Sequence, residues 1–360
     1  MKRQWRRCSL LVLLFCVAGL VLMPLAQPAL SQGTLRLLNW KGYGSDEAWA
    51  IKTFEDRYHV KIVHDYFNSE DELLTKLRTS PGVYDAVLPN SAYYAAAIQE
   101  NLIQPIDTSQ LTNYRDIAAP LKSMAELNNG GKVYGVPWTW GATAMAYNTQ
   151  KVQGSVDSIN AFWDPRFKTS VGWWDDFLNS MQFAAIALGQ DPNTPSDLNA
   201  IKQKLQALRP QIKTFWTSED QFNKLFASGQ FTVGVYWSGS AARAGKRYKL
   251  PLQFVIPKEG AIGWVDAWAI PAKAPNAAMG LKWIDYMTSS EFYVPWDTKA
   301  GAPPSANLKA VAALPASAFN RKVMGDPTVA KRLIFMKNIT DDQKKQYIKV
   351  WEEVKAGFTR

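Results

Sequence analysis

The sequence predicts an α/β fold in two lobes, each a mostly parallel sheet flanked by helices, and two observations predict it. Between residues 34 and 100, short β-capable runs alternate with helical segments across brief turns, the pattern of a parallel sheet covered on both faces. Removing an N-terminal leader of 31 residues from the 360 leaves about 330, more than one hydrophobic core usually supports. No internal repeat and no low-complexity linker interrupts the chain.

The elements follow in order. Thr34–Trp40 reads as a buried first strand, ending in the loop Lys41-Gly42-Tyr43-Gly44. Ala50, Phe54 and Tyr58, four apart, predict a helix from about Asp46 to Tyr58. Val60–Tyr66 is a second strand, and Ser69-Glu70-Asp71-Glu72 forms a capping box opening a helix with Leu73, Leu74 and Leu77 inward. Tyr84–Leu88 is a third strand, and Ser91–Glu100 a third helix. Ligands of such sheets sit at the carboxyl ends of the strands, which singles out the loops Trp40–Tyr43 and Asn90–Tyr94. Lys132–Asn148 is strand-like, and Val171–Ser180 runs from strand to helix with Asp175 and Asp176 at the junction. Two acids at a helix start also suit capping of free N–H groups and the helix dipole. Helices are expected near Phe183–Leu188, Asp197–Leu208, Glu219–Ala227, Ala277–Met287 and Asp341–Ala356.

The most informative stretch is Gly260–Ala274, an apolar β-capable run carrying one carboxylate, Asp266. Strand alternation puts Trp264, Asp266 and Trp268 on one face. An acid there is costly to bury unless something positive meets it. Just upstream, Phe231–Ala242 places Trp237 where a strand gives way to small residues. Tryptophans beside a carboxylate suit an organic ammonium, through cation–π contact and an ion pair. The alternative is a pair of core strands whose tryptophans only fill space.

The N-terminus carries an export signal. Lys2, Arg3, Arg6 and Arg7 precede the apolar run Cys8–Leu25, and Ala29-Leu30-Ser31 supplies small residues at a cleavage spacing. The general secretory route fits better than the twin-arginine one, and Cys16 behind Phe15 does not suit lipid attachment. Cleavage after Ser31 removes both cysteines, leaving no disulfide, thiol nucleophile or thiolate metal site. His59 and His64 are the only histidines, and His64 alternates with Val60, Ile62 and Tyr66 as a structural residue would. No metal or cofactor is expected. The formal charge of +10 falls to +6 without the four leader bases; the remaining Lys and Arg are dispersed, and no nucleic-acid motif occurs.

Six stretches resemble the periplasmic spermidine/putrescine-binding proteins of ABC importers. They are LLNWKGY, YDAVLPNSAYY, VPWTWGATAMAYN, AFWDPRFKTSVGWWDD, VGVYWSGSA and PKEGAIGWVDAWAIPAKA, collinear and at similar spacing. The resemblance implies a type II periplasmic binding protein that clamps its ligand between lobes, a monomer working with ABC permease subunits in the periplasm. It implies chain crossings near Gly141–Asn148 and Ala267–Ala274, hence a first lobe of residues 32–143 plus 268–308 and a second of 144–267 plus 309–360. Trp40 and Tyr43 match the tryptophan and tyrosine after the family's first strand. Ser91 and Tyr93 lie in a loop that supplies a serine and a tyrosine, here one residue longer. Asp176 matches the acid of the strand–helix junction, Trp237 and Trp264 the two cleft tryptophans, and Asp266 the carboxylate that grips an amine.

This sequence also departs from the pattern. Asn179 stands where polyamine binders commonly have a glutamate, Ala302 where many have a tyrosine, and Lys41 where a small polar residue is usual. The alternative ligand is therefore a smaller amine-containing one, such as an aminophosphonate, a thiamine-like cation or an amino-acid-like cation, with an anionic end near Lys41. An exported enzyme is not expected: no G-x-S-x-G or H-E-x-x-H occurs, and adjacent Asp175 and Asp176 point apart at a helix start.

Overall fold

The structure is a computed structural model that describes residues 33–154, 156–322, 324 and 327–358. The expected leader lies outside the described residues. β1 (Gly33–Trp40), β2 (Val60–Phe67) and β3 (Ala86–Val87) form a small sheet in the order β2–β1–β3, with β1 and β3 parallel. α1 (Ala48–Tyr58) buries Ala50 and Phe54 against it, and α2 (Glu70–Thr79) buries all three expected leucines. At the start of α2 the Ser69 hydroxyl accepts the Glu72 N–H, while the Glu72 carboxylate accepts the Asn68 N–H at 2.9 Å. The capping box is thus one residue wider than the usual reciprocal pair. The expected third helix divides into a 3₁₀ turn, Ser91–Tyr93, and α3 (Tyr94–Gln99).

A larger sheet follows. Its strands are β4 (Val136–Asn148), β5 (Val171–Trp174), β6 (Ile212–Trp216), β7 (Val233–Trp237), β8 (Leu252–Val255), β9 (Ala261–Trp268) and β10 (Leu333–Phe335). The order is β10–β9–β4–β7–β5–β6, with β8 also paired to β4. Here the expected mostly parallel pairing becomes a mixed one. β5 pairs with β6 and β7, and β9 with β10, in parallel, whereas β4 runs against β7, β8 and β9. The reason is β4 itself, which enters this sheet from the neighbouring core and meets each partner head to tail. Short ribbons join Ile103–Gln104 to Ile270–Pro271 and Asn128–Asn129 to Lys132–Val133.

The longer helices are α4 (Phe177–Ala187), α5 (Leu198–Gln206), α6 (Glu219–Ala227), α7 (Ser238–Arg247), α8 (Ala277–Met287), α9 (Ser290–Lys299) and α10 (Asp341–Phe358). α9 carries Pro295 inside it, which is why the sequence pattern does not announce that helix.

Two main cores lie on either side of the crossing strands. One gathers Leu37, Phe54, Trp138, Trp268, Trp283 and Trp296, and extends to Ala310 and Leu314. The other gathers Met145, Phe162, Trp173, Phe183, Trp264 and Trp351. β4 passes from the first core at Val136 and Trp138 to the second at Met145; β9 returns from Ile262 and Trp264 to Trp268. The β4–β9 register shifts between Asp266 and Ala267, where β9 changes cores. That shift corrects the expected triad of neighbours. Trp268 is fully buried against Trp138 and Trp283 in the first core, away from the surface that Trp264 and Asp266 share.

Candidate ligand-binding site

A cavity of about 1040 Å³ opens where the two strands cross. Its wall includes Thr143 of β4 and Trp264 and Asp266 of β9. It also includes Trp40, Phe67, Trp174 and Trp237, the last residues of β1, β2, β5 and β7. The ligand rule for open α/β sheets therefore converges on one place from both sheets. Of the expected site residues, Trp40, Tyr43, Tyr93, Asp176, Trp237, Trp264 and Asp266 all line this cavity.

Ser91 does not. It is buried with its hydroxyl unpartnered, and Asn90 holds the inward position instead. Asn90 caps the 3₁₀ turn through its side-chain oxygen, which accepts the Ala92 N–H at 3.0 Å. That leaves its amide free to donate to Asp266 Oδ1 at 3.0 Å.

Asp266 is 7% exposed. Its Oδ2 accepts the Tyr43 hydroxyl at 2.9 Å. Among the described residues its partners are these neutral donors, and no lysine, arginine or histidine pairs with it. Burial raises its pKa to about 6, with the Asn90 and Tyr43 hydrogen bonds pulling the other way. A desolvated carboxylate held open by neutral donors is a receptor for a cation. Tyr43 is fixed for this by edge-on packing against Trp138 at 5.3 Å and Trp296 at 5.8 Å.

Asp176 serves two ends at once. It caps α4, its Oδ1 accepting the Asn179 N–H at 2.7 Å and the Asn179 amide at 2.8 Å. It also faces the cavity, and burial raises its pKa. Asp175 turns away to accept Trp351 Nε1 at 2.8 Å and to pair with Lys355 at 3.1 Å, both on α10. The two acids do point apart. Asn179, the departure from the polyamine pattern, spends its amide on Asp176. Lys41 is exposed at the cavity rim, and Ala302 is fully buried outside the wall.

The aromatic wall is built in pairs. Trp237 meets Trp174 edge-on at 4.8 Å and Trp216 at 5.0 Å; Trp40 meets Phe67 at 4.4 Å. Trp264 lies against Gly141 so closely that a Cβ there would sit 2.4 Å from its ring. Beyond the expected residues, Arg243 of α7 is 4% exposed, pairs with Glu219, and lies 5.8 Å over the Tyr43 ring. Glu70 is 9% exposed and also lines the cavity. The signal for Glu70 was present: it follows the carboxyl end of β2, although the acidic run there also reads as an ordinary helix start. Arg243 carried no such signal, since α7 looks like a small-residue helix.

Eight carboxylates and four basic side chains line the cavity, a net charge of −4 within a chain of formal charge +10. Among the described residues no group of three His, Cys, Asp or Glu side chains could hold a metal ion. The cavity thus combines aromatic walls with an excess of carboxylates.

Known proteins are similar to this chain in sequence and in fold. The sequence pattern of the family described as bacterial extracellular solute-binding protein matches residues 49–323. The spermidine/putrescine-binding periplasmic protein of Escherichia coli K12 is 33% identical over 279 residues, covering 76% of this chain and 78% of its own. Spermidine/putrescine-binding periplasmic protein 1 of Haemophilus influenzae is 29% identical over 339 residues, 91% of each chain. A solved chain of a spermidine/putrescine ABC transporter substrate-binding protein from Streptococcus pneumoniae superposes with a TM-score of 0.77. It is 20% identical and covers 91% of this chain and all of that one, so its fold is the same two-lobed α/β fold. With the cavity seated where two strands cross between cores, and with three quarters of the chain matched, this protein belongs to the bacterial extracellular solute-binding proteins, a family of non-enzymatic carriers for ABC transporters.

Proposed function

We propose that this protein captures a polyamine, putrescine or spermidine, in the cavity and delivers it in the periplasm to the permease subunits of an ABC transporter. The observation that carries the reading is Asp266, a buried carboxylate with neutral partners in an aromatic cavity of opposite sign to the rest of the chain. One ammonium pairs with Asp266 while Trp237, Trp264 and Trp40 flank the methylene chain. Asp176 meets a second amine, and Tyr43 and Tyr93 bond along the ligand. The lobes are residues 32–143 plus 268–308 and 144–267 plus 309–360, although Ala310 and Leu314 pack with the first core, and the working form is a monomer. The alternative ligand, a smaller amine with an anionic end, draws support from Arg243, whose Nη1 is buried without a partner in a side chain that lines the cavity.

Calorimetric titration of the mature protein, stripped of ligand by unfolding and refolding, tests the reading with putrescine, spermidine, spermine and aminoethylphosphonate. Micromolar or tighter binding of a polyamine is expected. A desolvated cation–π contact contributes about 2 kcal/mol, whereas breaking a buried ion pair costs about 3–5 kcal/mol. Asp266→Ala should therefore weaken binding more than Trp40→Ala, Trp237→Ala or Trp264→Ala. The reverse order would remove Asp266 from the centre of the site, and silence with all three polyamines would favour the smaller ligand.

A further inference from the structure

We infer that Glu70 is a second carboxylate of the Asp266 subsite, and that the pair selects a primary ammonium over N-alkylated ones. The inference rests on the polyamine reading and deepens it. Asn90 couples the two acids: its backbone N–H donates to Glu70 Oε1 at 3.1 Å, and its side-chain amide donates to Asp266 Oδ1 at 3.0 Å. Glu70 Oε2 is buried and has no hydrogen-bond partner, and among the described residues no ion pair reaches this side chain. The residue is more than nine-tenths buried and is part of the cavity wall.

A solvated helix start does not need this arrangement. Ser69 already caps α2, and Asp71 and Glu72, both half-buried, supply the other acids of its first turn. Glu70 is the buried acid of that run and has no basic partner among the described residues, whereas Asp71, also on the cavity wall, pairs with Lys344. The charged groups that act on it are Asp266 of β9, Asp71 of its own helix and Asp176 at the start of α4, all negative; burial and these neighbours raise its pKa well above the ordinary range. Desolvation makes an unmet acceptor here costly in the empty protein. An incoming ammonium relieves it.

The stoichiometry of donors then sets selectivity. A primary ammonium carries three N–H donors in a compact head. One can meet Asp266 and another Glu70 while the third remains for a neutral acceptor. Each alkyl group on the nitrogen removes a donor and leaves a buried acceptor unmatched, which a site built to hydrogen-bond its substrate rejects strongly. The second acid is thereby supplied by a different element, the start of α2.

The test compares wild type, Glu70→Gln, Glu70→Asp and Asp266→Asn by calorimetry with putrescine and N,N,N′,N′-tetramethylputrescine, alongside thermal unfolding of the ligand-free proteins. Glu70→Gln preserves an acceptor for the Asn90 N–H and removes the charge. It is expected to lose about 10- to 100-fold in putrescine affinity, as loss of a charged hydrogen bond does, and to narrow the preference for putrescine over its tetramethyl form. Its ligand-free melting temperature should equal or exceed that of wild type, which a merely structural role would not produce. Glu70→Asp, with the charge retained, should keep the preference at intermediate affinity. Putrescine binding by Glu70→Gln within threefold of wild type, with an unchanged preference, would overturn the inference while leaving the polyamine reading intact. Failure of wild type to bind any amine would overturn that reading as well.

Discussion

Asp266 links protonation to ligand capture. With a pKa raised to about 6 by burial, it is ionised at pH 7 and progressively protonated below. A cationic ligand binds the ionised form, so affinity should be flat above pH 7 and fall about tenfold per unit once pH drops well below 6. Calorimetry from pH 5 to 8 checks this, and Asp266→Asn should reduce the dependence to the part that Glu70 contributes. The sign for stability is opposite. The folded protein holds this proton more tightly than the unfolded chain, whose carboxylate titrates near 3.8. Stability of the empty protein is therefore greatest below pH 4 in this contribution and declines as pH rises to 6, by about 3 kcal/mol for a shift of that size. Glu70, also raised by burial, acts in the same sense. A melting temperature of the ligand-free protein that rose from pH 4 to 6 more in wild type than in Asp266→Asn would contradict this.

At the scale of the element, the junction of β5 and α4 carries two tasks that separate by mutation. Asp176 Oδ1 is fully engaged in capping α4, with the backbone and side chain of Asn179 both donating to it. Replacing the cap with alanine should cost about 1 kcal/mol of stability. Asp176→Asn retains a capping oxygen and removes the charge facing the cavity. The expected outcome is an Asp176→Asn protein that melts close to wild type yet binds a polyamine more weakly, and an Asp176→Ala protein weakened in both respects. Equal polyamine affinity in Asp176→Asn and wild type would confine Asp176 to the cap. The same junction shows why α4 was legible: strand, acid and helix follow within six residues, and a local oxygen satisfies a local N–H.

Across the whole molecule, ion pairs bridge the proposed lobes with one polarity. Arg247 of α7 meets Glu47 before α1 at 3.4 Å, Lys344 of α10 meets Asp71 of α2, and Lys246 approaches Asp297 of α9 at 3.8 Å. The cations all come from the second lobe and the acids from the first. Pairs as exposed as the first two contribute roughly 0–1 kcal/mol each and are screened by salt. They add to the closed arrangement that ligand contacts with both sides favour. Arg247→Gln combined with Lys344→Gln should lower ligand affinity by up to about tenfold at low salt, with the difference from wild type vanishing in high salt. An affinity gap that persisted in high salt would mean that these residues act on the ligand rather than on closure.

The sequence by itself determined the α/β class, the strand–helix alternation that opens the fold and the expected residues that line the cavity, because each was written in a local pattern. Strand ends, helix caps and an acid among aromatics are features of neighbouring residues, and Trp40, Tyr43, Asp176, Trp237, Trp264 and Asp266 are all of that kind. The family resemblance supplied the crossings. Only the tertiary structure decided what depends on register and direction: that β4 runs against its neighbours to make the larger sheet mixed, that Trp268 departs to the other core, and that Asn90 rather than Ser91 faces Asp266. It also decided that one glutamate in an ordinary acidic helix start turns inward to share Asn90 with Asp266, 196 residues further along the chain. Burial is a property of the assembled cavity, and no local pattern records which of three adjacent acids will lose its water.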